Sequence, residues 1–430
     1  MIKPTISFYT LGCRLNQSET AVLERLFEAE GYASVGSGKP ADIAVINTCT
    51  VTENGDTDTR RLIHKINRLN PKTNIALIGC QAQVQKGKLA ELPNVRWVVG
   101  NARKMELYSI IRSQHQGETA EVITPAIPRD AFTVPTAGID RRHARANIKI
   151  QDGCDFFCLF CEIPYARGRA RSRQFDDIQS EANILAAAGH KELVITGINV
   201  GTYQNDNRTL EDVIEALEQI NGLERIRISS IEPTTLPRKL LKKMAQRTKL
   251  CRHLHIPLQS GSDSVLQKMR RRCSAQEFGD FIQTAYETVP GICIGTDMIV
   301  GFPCETEEHF RESADCLKRW PIHYCHVFSY SQRSMARSQN LPEAVSTFDI
   351  QKRSRILHDL SQRKRRMFNE SFLGTTQKVL FEQKKNGIWT GLTDNYVRVC
   401  VASDDNLTSR LQDVRLMNIE WPMVRGELSS

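Results

Sequence analysis

Asp152-Gly153-Cys154-Asp155-Phe156-Phe157-Cys158-Leu159-Phe160-Cys161 places three cysteines at C-x3-C-x2-C spacing in one short loop. Thiolates this close along the chain converge on a single metal centre. A structural zinc site takes four ligands, usually as two separated pairs. No fourth cysteine or histidine lies near, so the loop suits a four-iron cluster with one iron left open for a substrate. The plain alternative is three unrelated surface thiols.

The loop directly follows a predicted strand, Asn147–Gln151, which opens an alternating series. Further strands are predicted at Glu192–Thr196, Arg225–Ser229, His253–Leu258, Ile292–Val300 and Tyr324–Tyr330. Helical stretches such as Phe175–Ala188, Leu210–Asn221 and Ala275–Thr288 separate them. Six βα units over 144–368 predict a partial (β/α)6 barrel whose active site lies at the C-terminal strand ends. Four segments sit there: Thr196–Gly201, Ser229–Pro233, Pro257–Ser262 and Asp297–Pro303. Within them Gly197, Asn199, Glu232, Gln259 and Ser260 are the expected cofactor contacts. Each is also open to a simpler reading, a strand end satisfied by local hydrogen bonds.

Upstream, residues 1–113 alternate in the same way. Strands are predicted at Ile6–Thr10, Ile43–Asn47, Asn74–Ile78 and Arg96–Val99, with helices at Gln17–Glu30, Asp56–Asn70, from Gln83, and at Lys104–Arg112. Short apolar runs between helices predict an α/β fold with a parallel sheet covered on both faces. Cys13, Cys49 and Cys80 each follow a strand, in ISFYTLGC, DIAVINTC and NIALIGC. Strand C-termini line one edge of an open α/β sheet, where ligands bind. The three cysteines are therefore expected to meet there, with Gly12, Thr48 and Gly79 leaving room for a bulky group. Three separate core cysteines remain the alternative, and a zinc site lacks a visible fourth ligand.

Residues 114–143, with Pro125, Pro128, Pro135 and Gly138, read as a linker. Residues 369–430 change character: Val379–Glu382, Gly387–Leu392, Tyr396–Val401 and Asp413–Ile419 predict a small all-β barrel of the oligonucleotide-binding type.

The 430 residues are 40% hydrophobic and 25% charged, as expected of a soluble globular chain of two or three domains. No secretory h-region opens the sequence, and no run approaches the ~18 apolar residues of a membrane span. A cytoplasmic location, with reduced thiols, is expected. Thirteen cysteines, an odd number, then speak for metal chemistry rather than disulfides. Cys251, Cys273, Cys293, Cys304, Cys316, Cys325 and Cys400 fall outside both trios and read as structural. The net charge of +9 fits a polyanionic partner without requiring one. Arg270, Arg271, Arg272 and the stretch Lys352–Arg366, including Arg363, Arg365 and Arg366, are the expected phosphate contacts. Trp389 and Tyr396 are the expected base-stacking residues. A merely solvated basic surface is the alternative.

The C-x3-C-x2-C loop resembles the radical S-adenosylmethionine superfamily. Two spaced trios followed by a small β domain resemble, over essentially the whole chain, the methylthiotransferase family. The resemblance implies a flavodoxin-like N-terminal domain, a radical barrel and a C-terminal TRAM module. It implies two 4Fe–4S clusters, one on Cys154, Cys158 and Cys161 and an auxiliary one on Cys13, Cys49 and Cys80. Two S-adenosylmethionine molecules are implied, one as methyl donor and one as radical source, with an electron donor such as a flavodoxin or ferredoxin. The implied substrate is adenosine 37 in the anticodon loop of transfer RNA. The segment Gly12-Cys13-Arg14-Leu15-Asn16 looks most like the branch acting on N6-threonylcarbamoyladenosine; an isopentenyladenosine or a ribosomal-protein aspartate is the alternative within the family. Glu162-Ile163-Pro164-Tyr165-Ala166-Arg167-Gly168 also resembles the family, which more often carries an apolar residue at Glu162. The family's Arg-x-Gly-Thr-x-Ala segment reads Ser331-Gln332-Arg333-Ser334-Met335-Ala336 here, with Arg333 retained and Gly-Thr missing. A radical enzyme of other outcome and a non-enzymatic iron–sulfur RNA-binding protein stay open.

Overall fold

The computed structural model describes residues 3–50, 53–113, 117, 119–135 and 144–429, without the side chains of Glu53 and Asn54. The chain forms two compact units. The first gathers the described residues of 1–139, 151–174 and 331–339; the second gathers those of 140–150, 175–330 and 340–430.

In the first unit the strands are β1 (Thr5–Thr10), β2 (Ala33–Val35), β3 (Ile43–Thr48), β4 (Asn74–Gly79), β5 (Val95–Val99) and β6 (Glu121–Ile123). All pair in parallel, in the order β2-β1-β3-β4-β5-β6. The helices are α1 (Arg14–Ala29), α2 (Glu53–Leu69), α3 (Cys80–Val84), α4 (Lys86–Ala90) and α5 (Leu107–Arg112). The strand period of two splits the apolar positions between faces. Ile6, Val45, Ile78 and Val99 pack with Leu23, Phe27 and Ile110 on one side. Ala44, Ile46, Leu77 and Val98 pack with Ile63, Ile66 and Leu89 on the other. Both faces are covered, which is why these strands are apolar throughout. The stretch expected to be linker instead supplies β6, pairing with β5; residues 114–116, 118 and 136–143 of it lie outside the described residues.

The chain enters the second unit with β7 (Arg145–Lys149) and returns to the first for β8 (Gln151–Asp152), α6 (Ile163–Arg167) and β9 (Arg171–Ser172). The second unit continues through α7 (Phe175–Ala187), β10 (Glu192–Thr196), the hairpin of β11 (Gln204–Asn205) and β12 (Arg208–Thr209), α8 (Leu210–Glu218), β13 (Arg225–Ile228), α9 (Lys239–Ala245) and β14 (His253–His255). Then come α10 (Asp263–Lys268), α11 (Ala275–Thr288), β15 (Cys293–Val300), α12 (Glu307–Arg319) and β16 (Tyr324–Ser329). Parallel β13-β10-β7 and β14-β15-β16 sheets are joined by the Ser230–His255 bridge. The result is the expected open six-stranded barrel. Its core runs from Ile148, Leu193 and Ile226 to Leu254, Ile294 and Met298, with α-helical Ile214, Phe278 and Leu317 packed outside.

Helix α13 (Thr347–Glu370) leads to β17 (Thr376–Lys385), β18 (Ile388–Thr393), β19 (Arg398–Ala402), β20 (Leu411–Glu420) and β21 (Met423–Leu428). These close as β17-β18-β19-β21-β20. Four of the five are the strands expected from the sequence; β21 is short and half polar, so its alternation is weak. No described helix is long and apolar enough to cross a membrane.

A buried charge cluster joins the two barrels of this unit. Glu192, fully buried, meets Arg227 Nε at 2.7 Å, Arg225 Nη1 at 3.8 Å and Arg145 Nη1 at 4.0 Å. The same arginines donate to C-terminal carbonyls: Arg225 to Leu392 and Lys378, Arg227 to Thr393 and Asp394. Arg252 adds a forked pair with Asp394, at 2.7 and 3.0 Å.

Candidate functional site

Strands β1, β3 and β4 are neighbours, so their C-terminal ends lie about 4.8 Å apart in sequence of pairing. Cys13 caps α1 just beyond β1, Cys49 follows β3, and Cys80 opens α3 directly after β4. Helix formation thus begins at the third cysteine, three residues earlier than expected. Gly12 and Gly79 have φ of +93° and +97°. A side chain at Gly12 would come within 2.7 Å of Cys49 Sγ, so glycine is what lets the first and second turns close together. Cys13 has exposed surface, but the protein packed around its thiol raises its pKa; Arg167 counteracts this and Cys80 adds to it. The three cysteines thus follow the adjacent C-terminal ends of β1, β3 and β4, at one edge of the sheet.

The C-x3-C-x2-C loop belongs to the same compact unit as this sheet. Asp152 and Gly153 start it, with Gly153 at φ +71° and no space for a β-carbon beside Arg169 O. Phe157 occupies the left-handed region, φ +52°, at a cost of roughly 1–2 kcal/mol. Arg169 stacks on its ring at 4.3 Å and Tyr165 meets it edge-on. This turn folds Cys158 back, and the Cys161 amide bonds Cys158 O at 3.0 Å. The Phe156 amide donates to Cys154 Sγ at 3.4 Å. Burial raises the Cys161 thiol pKa, and Cys158 and then Cys154 raise it further.

All thirteen cysteines are thiols rather than disulfides. Within each trio some sulfurs act on one another: ionised Cys80 disfavours ionising Cys13, and ionised Cys158 and Cys154 disfavour ionising Cys161. A cationic centre relieves that repulsion and takes thiolates as ligands. Two sets of three soft donors fit iron–sulfur clusters with an open iron better than they fit zinc.

Two buried polar clasps, unforeseen in the sequence, tie the loops together. In the first, Arg167 bonds Cys80 Sγ, Asn16, Glu19 and Asp152. In the second, Glu162 Oε2 accepts from Thr50 Oγ1 at 2.6 Å and Arg333 Nε at 3.3 Å. Glu162 Oε1 accepts from the Met335 amide at 2.8 Å. Arg333 also bonds Thr50 and forms a forked pair with Asp56. Thr50 follows Cys49 and Glu162 follows Cys161, so this clasp bridges the two cysteine loops.

The other expected residues fare unevenly. Gly197 and Gln259 are half-buried at barrel strand ends, Gln259 with φ +80°. Asn199 is buried, its Oδ1 accepting from Thr235 at 2.9 Å. Ser260 is corrected: it is 1% exposed and its hydroxyl is engaged by Ser313 and the Ser262 amide. Glu232 and Arg271, expected on cofactor and RNA respectively, form a two-pronged ion pair with each other, at 2.9 and 2.6 Å. Arg271 is thereby removed from the phosphate-binding set; Arg270 and Arg272 are exposed. On α13, Arg363 and Arg366 are exposed, Arg366 pairing with Glu370. Arg365 is corrected: it bonds the Tyr396 carbonyl and lies over the Tyr324 and Tyr396 rings. Trp389 is also corrected, being 5% exposed with Nε1 on Asp405 O. Tyr396 stacks on His253 at 4.3 Å, so neither ring is presented to a base. Within the barrel, Asp297 Oδ1 accepts from His255 and His326, and His255 and His253 share the Tyr324 hydroxyl.

Comparison with known proteins matches residues 148–317 to the Radical SAM superfamily and residues 5–100 to the uncharacterized protein family UPF0004. The threonylcarbamoyladenosine tRNA methylthiotransferase MtaB of Aquifex aeolicus is 37% identical, over 92% of this chain and 96% of that one. A tRNA-2-methylthio-N(6)-dimethylallyladenosine synthase of Dehalococcoides mccartyi is 30% identical, over 96% of each. Among solved structures, the radical S-adenosylmethionine methyltransferase TsrM of Kitasatospora setae superposes with a TM-score of 0.58, covering 78% of this chain and 77% of that one. At 16% identity that likeness is one of fold. With near full-length relatives of this kind at 30% identity and above, the chain belongs to the radical S-adenosylmethionine tRNA methylthiotransferases, enzymes that work with S-adenosylmethionine and 4Fe–4S clusters.

Proposed function

We propose that this chain adds a methylthio group to carbon 2 of N6-threonylcarbamoyladenosine at position 37 of transfer RNA. The observation carrying the reading is the assembly of Cys13, Cys49 and Cys80 in one compact unit with the Cys154, Cys158 and Cys161 loop, since sulfur insertion needs two centres near one substrate. The threonylcarbamoyl choice is supported by the Gly12–Asn16 segment and by the higher identity to the MtaB relative, 37% against 30%. When bound, the two clusters supply reductive cleavage of S-adenosylmethionine and a holding point for the transferred sulfur.

The chain's own residues then have distinct tasks. Cys154, Cys158 and Cys161 hold one cluster, and Cys13, Cys49 and Cys80 the other. The Phe156 amide lowers the electron density on the Cys154 sulfur. Thr50, Glu162 and Arg333 keep the two cysteine loops in fixed register, which matters because misplacement by about 1 Å costs on the order of 100-fold in rate. Exposed Arg270, Arg272, Arg363 and Arg366 offer phosphate contacts to the RNA.

The test is anaerobic reconstitution, expected to load about eight irons per chain. Turnover follows with transfer RNA carrying either threonylcarbamoyladenosine or isopentenyladenosine, read by nucleoside mass spectrometry. A methylthio gain on the first alone is expected. A gain only on the second reassigns the substrate, and 5′-deoxyadenosine without any methylthio product removes the reading.

A further inference from the structure

Arg167 is fully buried, as Arg173 and Arg227 also are among the described residues. A guanidinium has five N–H donors and no way to shed its charge. Here each is directed. Nη1 donates to Glu19 Oε1 and Asp152 Oδ1, both at 3.0 Å. Nη2 donates to Asn16 Oδ1 at 2.7 Å and Glu19 Oε2 at 3.1 Å. The remaining donor, Nε–H, goes to Cys80 Sγ at 3.2 Å.

The surroundings hold this geometry. Glu19 grips the guanidinium with both oxygens and is itself paired with buried Lys104 at 2.5 Å. Lys104 bonds Asn101, whose Nδ2 lies 3.6 Å from the same Cys80 sulfur and 2.7 Å from Ala166 O. Asp152, two residues before Cys154, is shared with Arg171 at 3.4 Å. Packing alone does not explain a permanently charged donor aimed at sulfur. A neutral side chain of similar length fills such a space without importing a charge that two buried carboxylates must balance.

We infer that Arg167 is a positioning residue for the auxiliary centre: its Nε–H fixes the Cys80 sulfur and raises the reduction potential of the cluster that Cys13, Cys49 and Cys80 hold. The inference rests on those three cysteines being cluster ligands. A cationic N–H···S contact withdraws electron density from the thiolate and favours the more negative, reduced cluster. Through Asp152, the same side chain anchors the start of the other cysteine loop.

The experiment uses the full chain with Cys154, Cys158 and Cys161 replaced by alanine, so that one cluster remains. In protein labelled with 15N-arginine, pulsed EPR of the reduced cluster is expected to show a weakly coupled arginine nitrogen. That coupling disappears in R167K. R167K and R167Q lower the reduced-to-oxidised ratio at a fixed potential on the order of tenfold, about 59 mV for a one-electron couple, with R167K the milder. A loaded cluster without arginine coupling, or an unmoved midpoint in R167K, overturns the inference and leaves the cluster assignment standing. Failure of this background to take up iron overturns both. The coupling is read in protein unchanged at Arg167, so its absence there overturns the inference whether or not the variants keep their iron.

Discussion

Replacing Glu192 by glutamine should destabilise the second unit more than any surface change, because it strips the fully buried carboxylate that meets Arg227 at 2.7 Å with Arg225 and Arg145 beside it, while Arg145 keeps its pair with Glu382. Burial by itself opposes ionisation of Glu192, yet Arg227 foremost, then Arg145 and Arg225, hold its pKa below the usual carboxylate range. At 2.7 Å the Arg227 pair has a gross attraction of about 6 kcal/mol with an effective dielectric constant near 20. Desolvation of both groups offsets much of that. Removing one partner of a buried pair nevertheless costs about 3–5 kcal/mol, since the other charge stays behind. Arg227 retains its carbonyl contacts to Thr393 and Asp394, which places the loss toward the lower figure. With a slope near 3 kcal/mol per molar, the urea midpoint should fall by about 1 M. Intrinsic fluorescence is the assay, because buried Trp389 reports on the C-terminal barrel joined to this cluster. Added salt should change the loss little, as buried charges are poorly screened. A double variant, Glu192→Leu with Arg227→Met, should recover much of it. A midpoint within about 0.2 M of wild type for E192Q would refute the reasoning and show the cluster to be solvated.

Trp389→Ala should cost about 3–5 kcal/mol in urea unfolding, as for other large core truncations, and RNA affinity measured on the folded fraction should be unchanged; a selective loss of affinity would restore the stacking role. Arg365→Ala should lose about 2–3 kcal/mol through its ring contacts and its bond to Tyr396, seen as easier proteolysis after α13, with no lower salt dependence of RNA binding. Double charge reversal at Arg363 and Arg366 should instead weaken RNA binding and flatten its dependence on salt, and unchanged binding would exclude that face. His323 is held neutral, its pKa pushed down to about 3 by burial, then by Lys364 and Arg365, while its Nδ1 accepts from the Ile294 amide. A base with a depressed folded pKa contributes stability above its unfolded value that is lost as pH falls. Stability should therefore decline from about pH 6.5 toward 3, by up to ~1.4 kcal/mol per unit, and that component should be missing from urea titrations of His323→Asn.

What was legible in the sequence follows from where the physics is local. Parallel strands buried on both faces must be apolar throughout, so β1, β3 and β4 could be read from short runs such as Ile43–Asn47. Once their order is fixed, cysteines one to three residues past those strand ends have nowhere else to meet. Side-chain partnerships across long separations carry no such local signal. Arg271 and Glu232 lie 39 residues apart, and each looked like a ligand contact until paired with the other. Trp389 and Tyr396 were read as base platforms because aromatic residues in a small β-barrel look alike whether they point inward or outward. A one-residue change of strand phase decides that, and the bulge between Phe381 and Gln383 on the neighbouring strand blurs it.

The two departures from the family pattern illustrate the same limit. Taken separately, an acid at Glu162 in place of an apolar residue looks like a buried charge without cause, and Met335 in place of glycine looks like a lost backbone contact. In space they are partners: Glu162 Oε1 takes the Met335 amide, and Oε2 takes Thr50 and Arg333. A buried carboxylate is tolerable only with its lone pairs filled and a cation beside it. Arg333, the one element of that segment retained, supplies the cation and carries it on to Asp56. The segment after the last barrel strand thus holds the residue following Cys161 through the Arg333 guanidinium and the Met335 backbone amide, the latter a donor that glycine would supply equally, so it is the acid at Glu162 that makes this clasp.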